Sequence, residues 1–188
     1  MTKTYDLTTG SLAKHFMRLA VPAAIGMVFS TLYNVVDVFF AGMIGTDAQA
    51  GLAISFQAFF IFVTIGFGLS AAMTALVGNA IGAKKTTDAS IIAAQGIGFS
   101  IVTSVLLIVA ARFIGPHLLA IISTEGAYRT AGEAYFMILI LSLPGFIMGY
   151  GLNGILQAQG DTVSMQYALI GAFFANIGLN PLMMFGIP

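Results

Sequence analysis

Residues 48–83, AQAGLAISFQAFFIFVTIGFGLSAAMTALVGNAIGA, carry no charged side chain over 36 positions. A helix that crosses a bilayer needs about 20 mostly apolar residues, since the hydrocarbon core is about 30 Å thick and a helix rises about 1.5 Å per residue. The stretch exceeds that length. Its apolar residues run on continuously instead of alternating, so it reads as a helix and not as a barrel strand. Working outward, similar charge-free intervals follow: 23 residues between Asp88 and Arg112, 27 between Glu133 and Asp161, and 27 after Asp161. Between Arg18 and Asp47 the only charge is Asp37. The pattern predicts an all-α polytopic bundle of five spanning helices, at about residues 11–44, 48–80, 87–113, 125–157 and 162–186.

The whole chain agrees with that stretch. Of 188 residues, 59% are apolar and 7% charged, whereas a soluble domain carries about 25% charged residues. Cys is absent, which excludes a disulfide framework, a thiolate metal site and a cysteine nucleophile. A net charge of zero excludes a nucleic-acid binder driven by a basic field. The apolar run from Leu19 to Ile44 is longer than the 7–15 residues of a signal-peptide core, so it reads as a retained span.

Polar punctuation sets the expected boundaries. Gly45-Thr46-Asp47 separates the first two helices, and Gly82-Ala83-Lys84-Lys85 the second from the third. Gly115-Pro116 is expected to end the third, with His117–Ser123 as a short interfacial turn. Asp161 or Thr162 offers an N-cap for the fifth. Lys3, Lys14, Arg18, Lys84 and Lys85 fall on one side, Arg112 and Arg129 on the other. By the positive-inside rule this bias places the N-terminus in the cytoplasm of a multi-pass protein of the plasma (inner) membrane. Gly186-Ile187-Pro188 follows the last apolar run with no polar tail, and an odd number of spans reads as a truncated chain.

An ionisable residue at membrane depth is costly and usually faces a bundle interior or water. Asp37 is the one such residue well inside a run. Ser30, Asn34 and Asp37 share one helix stripe, at i, i+4 and i+7, as a cavity wall or partner-helix face would require. A carboxylate there can bind a proton or a cation; the simpler account is a hydrated helix end. Asn176 and Asn180 share a face of the fifth helix, and Pro181 removes the donor for the Ile177 carbonyl. This set can coordinate a small cation or meet a carboxylate from another helix; interhelical hydrogen bonding alone would also explain it. Asn153 with Gln157, and Gln57 with Thr64, form further polar pairs that line a cavity or join helices. Pro22 and Pro144 are kink points, and Pro22 is a candidate hinge. The 22 glycines suit close helix packing, and ten Met and 16 Phe provide adaptable apolar surface. His15 and His117 lack partners at metal-ligand spacing, so no metal cluster is expected. No paired carboxylates and no Ser/His/Asp set fall within a run, so no catalytic residues are assigned and no enzyme is expected.

Four motifs in order then resemble one family. Val21-Pro22-Ala23-Ala24-Ile25-Gly26 with Leu32-Tyr33-Asn34-Val35-Val36-Asp37-Val38-Phe39-Phe40-Ala41-Gly42 resembles the first helix of MATE (multidrug and toxic compound extrusion) transporters. Gly68-Leu69-Ser70-Ala71-Ala72 and Val77-Gly78-Asn79-Ala80-Ile81-Gly82-Ala83 resemble the end of its second. Asn153-Gly154-Ile155-Leu156-Gln157-Ala158-Gln159-Gly160-Asp161-Thr162 resembles the exit of its fourth, and Asn176-Ile177-Gly178-Leu179-Asn180-Pro181-Leu182-Met183-Met184-Phe185-Gly186 its fifth.

The resemblance implies two pseudo-symmetric six-helix lobes that open alternately to each side and export drugs or organic cations in exchange for H+ or Na+. Residues 1–188 would be most of the N-terminal lobe, incompetent for transport without a second lobe or partner chain. Asp37 falls on the family's coupling aspartate and Asn176 on its cation-site asparagine. Asn180 stands where many relatives carry a second aspartate, which makes Asp37 the sole carboxylate of this part of the site. Beyond the coupling ion no cofactor is implied. A lipid-linked saccharide flippase of the same superfamily is the rival reading, disfavoured because no Lys or Arg lies deep in a predicted span. A non-transporting remnant or subunit is another.

Overall fold

The structure, a computed structural model, describes residues 11–186; Lys3 and Pro188 lie outside the described residues, as do the side chains of Lys14, His15 and Arg18. Among the described residues there is no strand. The elements are α1 (Leu12–Ile44), α2 (Thr46–Gly82), α3 (Thr86–Ile122), α4 (Ala127–Leu139), α5 (Leu143–Ala158) and α6 (Ser164–Phe185). One 3-10 turn, Ile140–Ser142, joins α4 to α5 in a single stretch. Five stretches are long and apolar enough to cross a membrane: Ala20–Ile44, Thr46–Gly82, Thr86–Ile122, Ala127–Ala158 and Ser164–Phe185. Large apolar side chains stand exposed along all of them, among them Met27, Phe113 and Met183. A soluble monomer does not tolerate apolar surface on that scale.

The chain forms two compact units, α1 with α6 and α2 with α3, α4 and α5. In the second unit the core is built on Phe59, Phe62, Leu119, Phe136, Ile140, Leu143 and Ile147. Lipid is as apolar as these side chains, so their burial alone does little to join helices, and close packing must do it. A Cβ on Gly154 would come within 2.3 Å of the Ser70 carbonyl oxygen, and one on Gly51 within 2.8 Å of the Gly132 backbone nitrogen. Backbones therefore touch at these positions. Hydroxyls bridge the same seams. Ser55 Oγ reaches the carbonyls of Gly51 and Gly132 at 2.7 and 2.8 Å, and Thr74 Oγ1 those of Ser70 and Gly154 at 2.9 and 3.1 Å.

The contact register gives helix directions. Gly51 meets Gly132, Gly66 meets Tyr150 and Gly154 meets Ser70, so α2 runs parallel to α4–α5. Gly96 meets Met73 and Gly115 meets Phe136, so α3 runs antiparallel to both. In the first unit Gly26 meets Gln166, Phe29 packs on Phe173 at 5.4 Å and Phe40 on Phe185 at 6.4 Å, so α1 and α6 are parallel. A chain that crosses a bilayer at every stretch must give this alternation, with three crossings between α1 and α6.

Two sequence expectations need correction. The third helix does not stop at Gly115-Pro116 but continues to Ile122, so residues 117–122 are helix rather than an interfacial turn. Proline removes one i to i−4 bond, and packing offsets it. The absent side chain of Gly115 makes room for the Phe136 ring, and Leu119 is fully buried. The fourth stretch, expected as one helix over 125–157, is interrupted at Ile140–Ser142. Pro144 lacks the N–H that the Ile140 carbonyl would accept from, and the ladder tightens to 3-10 geometry ahead of it.

The connections use local chemistry. α2 closes with Lys85 N–H donating to Ala80 O and Lys84 N–H to Ile81 O, both at 2.9 Å, and with Lys84 in the left-handed region at φ 59°. This is a Schellman closure in which a lysine holds the position that favours glycine. Before α6, Asp161 Oδ1 accepts the Val163 and Ser164 N–H groups at 3.0 Å, and Oδ2 accepts the Ser164 hydroxyl at 2.6 Å. Asp161, not Thr162, is thus the capping side chain. These bonds, led by that from the Ser164 hydroxyl, hold its carboxyl below the ordinary carboxylate range.

Two outcomes follow from these contacts. Gly154→Ala should destabilise the α2–α5 seam by about 1–3 kcal/mol, the usual cost of overpacking. Gly98→Ala, where a Cβ meets nothing within 4 Å, should leave stability unchanged or raised. Denaturant unfolding in mixed micelles measures both. Asp161→Ala should cost about 1 kcal/mol at neutral pH as a lost cap. A depressed native-state pKa stabilises above the unfolded value, so the gap between wild type and variant should close as pH falls below about 4.

Candidate functional site

In the α1–α6 unit, the parallel packing sets Asp37 beside two amides. Asn176 Nδ2 donates to Asp37 Oδ1 at 2.7 Å, and Asn180 Nδ2 donates to the same oxygen at 2.8 Å. Asn180 Nδ2 also lies 3.2 Å from Asn176 Oδ1. Asn176 is the one polar side chain of α6 that is buried, at 7% exposure; Asp37 and Asn180 are half-buried. Their i, i+4 spacing on α6 aims both amides at one point on α1. Pro181 follows within the helix, which continues to Phe185.

The chemistry of the cluster follows from its donors. Two amide N–H groups meet one carboxylate oxygen. Asp37 Oδ2 takes no hydrogen bond among the described residues. The cluster holds one carboxylate and two amides, so its formal charge is −1 with Asp37 ionised. No group of three or more His, Asp or Glu able to hold a metal ion occurs among the described residues.

The polar stripe on α1 is divided by the structure. Asn34 Nδ2 turns back to the Ser30 carbonyl at 2.9 Å, and both Ser30 and Asn34 are exposed. Of the three residues, Asp37 alone joins the α6 amides. Pro22 lies within α1, which continues through it without interruption.

The second unit carries a groove of about 550 Å³ between α2 and α5. Phe67, Ser70 and Thr74 line it from α2, and Tyr150, Asn153 and Gln157 from α5. The Phe67 and Tyr150 rings lie 4.5 Å apart at one end. No lining side chain is charged. Asn153 is therefore brought to a cavity wall, whereas Gln57 is exposed on α2 and does not line this groove. Sequence reasoning missed Phe67, Ser70, Thr74 and Tyr150. The available signal was a matching pair of stripes: 67, 70 and 74 on one helix, 150, 153 and 157 on another.

A family model described as MatE matches residues 22–182. The probable multidrug resistance protein YoeA of Bacillus subtilis is 25% identical over 172 residues, covering 89% of this chain and 37% of its own length. The FAD transporter of Shewanella oneidensis is 23% identical over 188 residues, covering 100% of this chain and 41% of that protein. A solved MOP superfamily transporter from Pyrococcus furiosus superposes with a TM-score of 0.88 at 24% identity, over 98% of this chain and 42% of its own. MATE in the bent conformation gives a TM-score of 0.84 at 24% identity, over 94% and 40%. The chain thus spans about two-fifths of the length of the relatives it matches. The structural likenesses show the fold, a bundle of helices, and the family match together with the five apolar stretches makes this a multi-pass membrane protein. With the family model matched over most of its length, the chain belongs to the MatE family.

Proposed function

We propose that this chain supplies most of the N-terminal lobe of a secondary antiporter that exports small organic, chiefly cationic, molecules from the cell. The observation that carries the reading is a carboxylate in a span, Asp37, held by two amides from a parallel helix. A charge at membrane depth costs free energy, and transport coupling gives it a use. Ion occupancy and substrate occupancy need only favour different states of the lobe for the two to be coupled. Relatives named for multidrug resistance and multidrug export support the substrate class. So does the uncharged aromatic and amide lining of the α2–α5 groove, which suits a ring-bearing cation better than an anion. That lining offers no basic side chain to a phosphate, which argues against a saccharide-lipid flippase.

The amide orientation supports a proton as the coupling ion. Both NH2 groups face Asp37. A proton can add at Oδ2 without disturbing them, whereas a sodium ion bound between these side chains would need their oxygens turned inward. Pro22 would let α1 bend between states. The rest of the transporter, a second lobe or partner chain, supplies the opposite wall of the pathway.

Asp37→Asn in the complete transporter should reduce dye efflux to the level of cells lacking it, with expression unchanged, because the isosteric amide keeps the packing. Efflux at the wild-type rate would sink the role given to Asp37. Collapse of the proton gradient should stop efflux; dependence on a sodium gradient instead would identify the other ion.

The cytoplasmic N-terminus has its own check. The chain has no cysteine, so single cysteines report topology without background. A cysteine at Thr124 should react with a membrane-impermeant maleimide on intact cells. One at Ala83 should react only after lysis, and the reverse pattern would invert the topology.

A further inference from the structure

Arg112 is not at the end of α3 but ten residues inside it, with its side chain exposed. Measured along the helix, it stands 24 residues from Asp88, about 36 Å at about 1.5 Å per residue. That is slightly more than the thickness of a hydrocarbon core of about 30 Å. With Asp88 and Lys85 at one interface, Arg112 reaches the other at the depth of the lipid phosphates. Its side chain is exposed and, among the described residues, has no acidic partner; the ion pairs there are Lys85 with Asp88 and Arg129 with Glu133. An unpaired guanidinium at this depth must find an anion or water.

The surroundings favour an anion with an apolar tail. Arg112 borders a groove of about 350 Å³ between α3 and the α4–α5 junction. Its other walls are apolar, Val109 and Phe113 on one side and Met137, Ile140 and Leu141 on the other. Phe113 and Leu141 are 71% and 66% exposed, so the mouth of the groove is open. The interrupted ladder at Ile140–Ser142 forms part of this wall.

We propose that this groove is a binding site for one anionic phospholipid, its phosphate on the Arg112 guanidinium and an acyl chain between Phe113 and Leu141. The guanidinium fork matches phosphate oxygens, and the apolar walls match the chain. The site shares no residue with the α2–α5 groove or the Asp37 cluster, and requires only that the chain spans a membrane.

Native mass spectrometry of the purified full chain in detergent, titrated with phosphatidylglycerol or phosphatidylcholine, tests it. Phosphatidylglycerol should be retained about fivefold better, the effect expected of one basic residue near an anionic lipid surface. Arg112→Gln should abolish the preference and Arg112→Lys should keep most of it. Leu141→Trp, which fills the groove but leaves the charge, should weaken retention of both lipids, with circular dichroism verifying that each variant is helical. Equal retention of the two lipids by the wild-type chain, or a preference that survives Arg112→Gln, would overturn the proposal.

Discussion

Lipid offers no hydrogen bonds to a backbone, and everything else in this chain follows from that constraint. Each N–H and C=O within the core must be satisfied internally, so the described residues are helices almost throughout. Lipid also offers no strong hydrophobic drive for helix association. The α2–α5 unit answers with contacts closer than side chains allow: backbone on backbone at Gly51–Gly132 and Gly154–Ser70, with Ser55 and Thr74 hydroxyls sharing carbonyls across the seams. The glycines and hydroxyls, more than the large apolar residues, decide which helices touch.

The same constraint governs the polar cluster. A carboxylate within a span needs donors, and α6 brings two amides to Asp37. They can reach it because α1 and α6 run parallel in register, with Phe29 on Phe173 and Phe40 on Phe185 on either side of the cluster. Those ring contacts hold the two helices at a distance where amide and carboxylate meet at 2.7 Å. Structure and chemistry are thus joined at one point. The two amide bonds to Asp37 are polar contacts that join α1 to α6.

Much of the chain was legible before any coordinates. Gaps in the charge pattern located all five spans, because a bilayer excludes charge over a fixed thickness. Asp37 stood out for the same reason, and the i, i+4 spacing of Asn176 and Asn180 placed them on one face. Legibility failed where packing overrode local preference. Gly115-Pro116 carries a stop signal, yet α3 continues because Phe136 fills the space over Gly115 and Leu119 is buried beyond it. Asn34 shares a stripe with Asp37 but satisfies itself on the Ser30 carbonyl. Ser70 and Thr74 read as ordinary helix residues until α5 sets Asn153 and Gln157 opposite them.

The sequence by itself determined which segments lie in lipid and which side chains are too polar to face it, since both depend on solvent and helical period alone. The tertiary structure decided the partners: which amides meet Asp37 across 139 and 143 positions of chain, which serines and threonines face Asn153, and that Arg112 lies within a helix beside an apolar groove. Spacing along a helix fixes a face. Only the direction and register of neighbouring helices fix what that face meets.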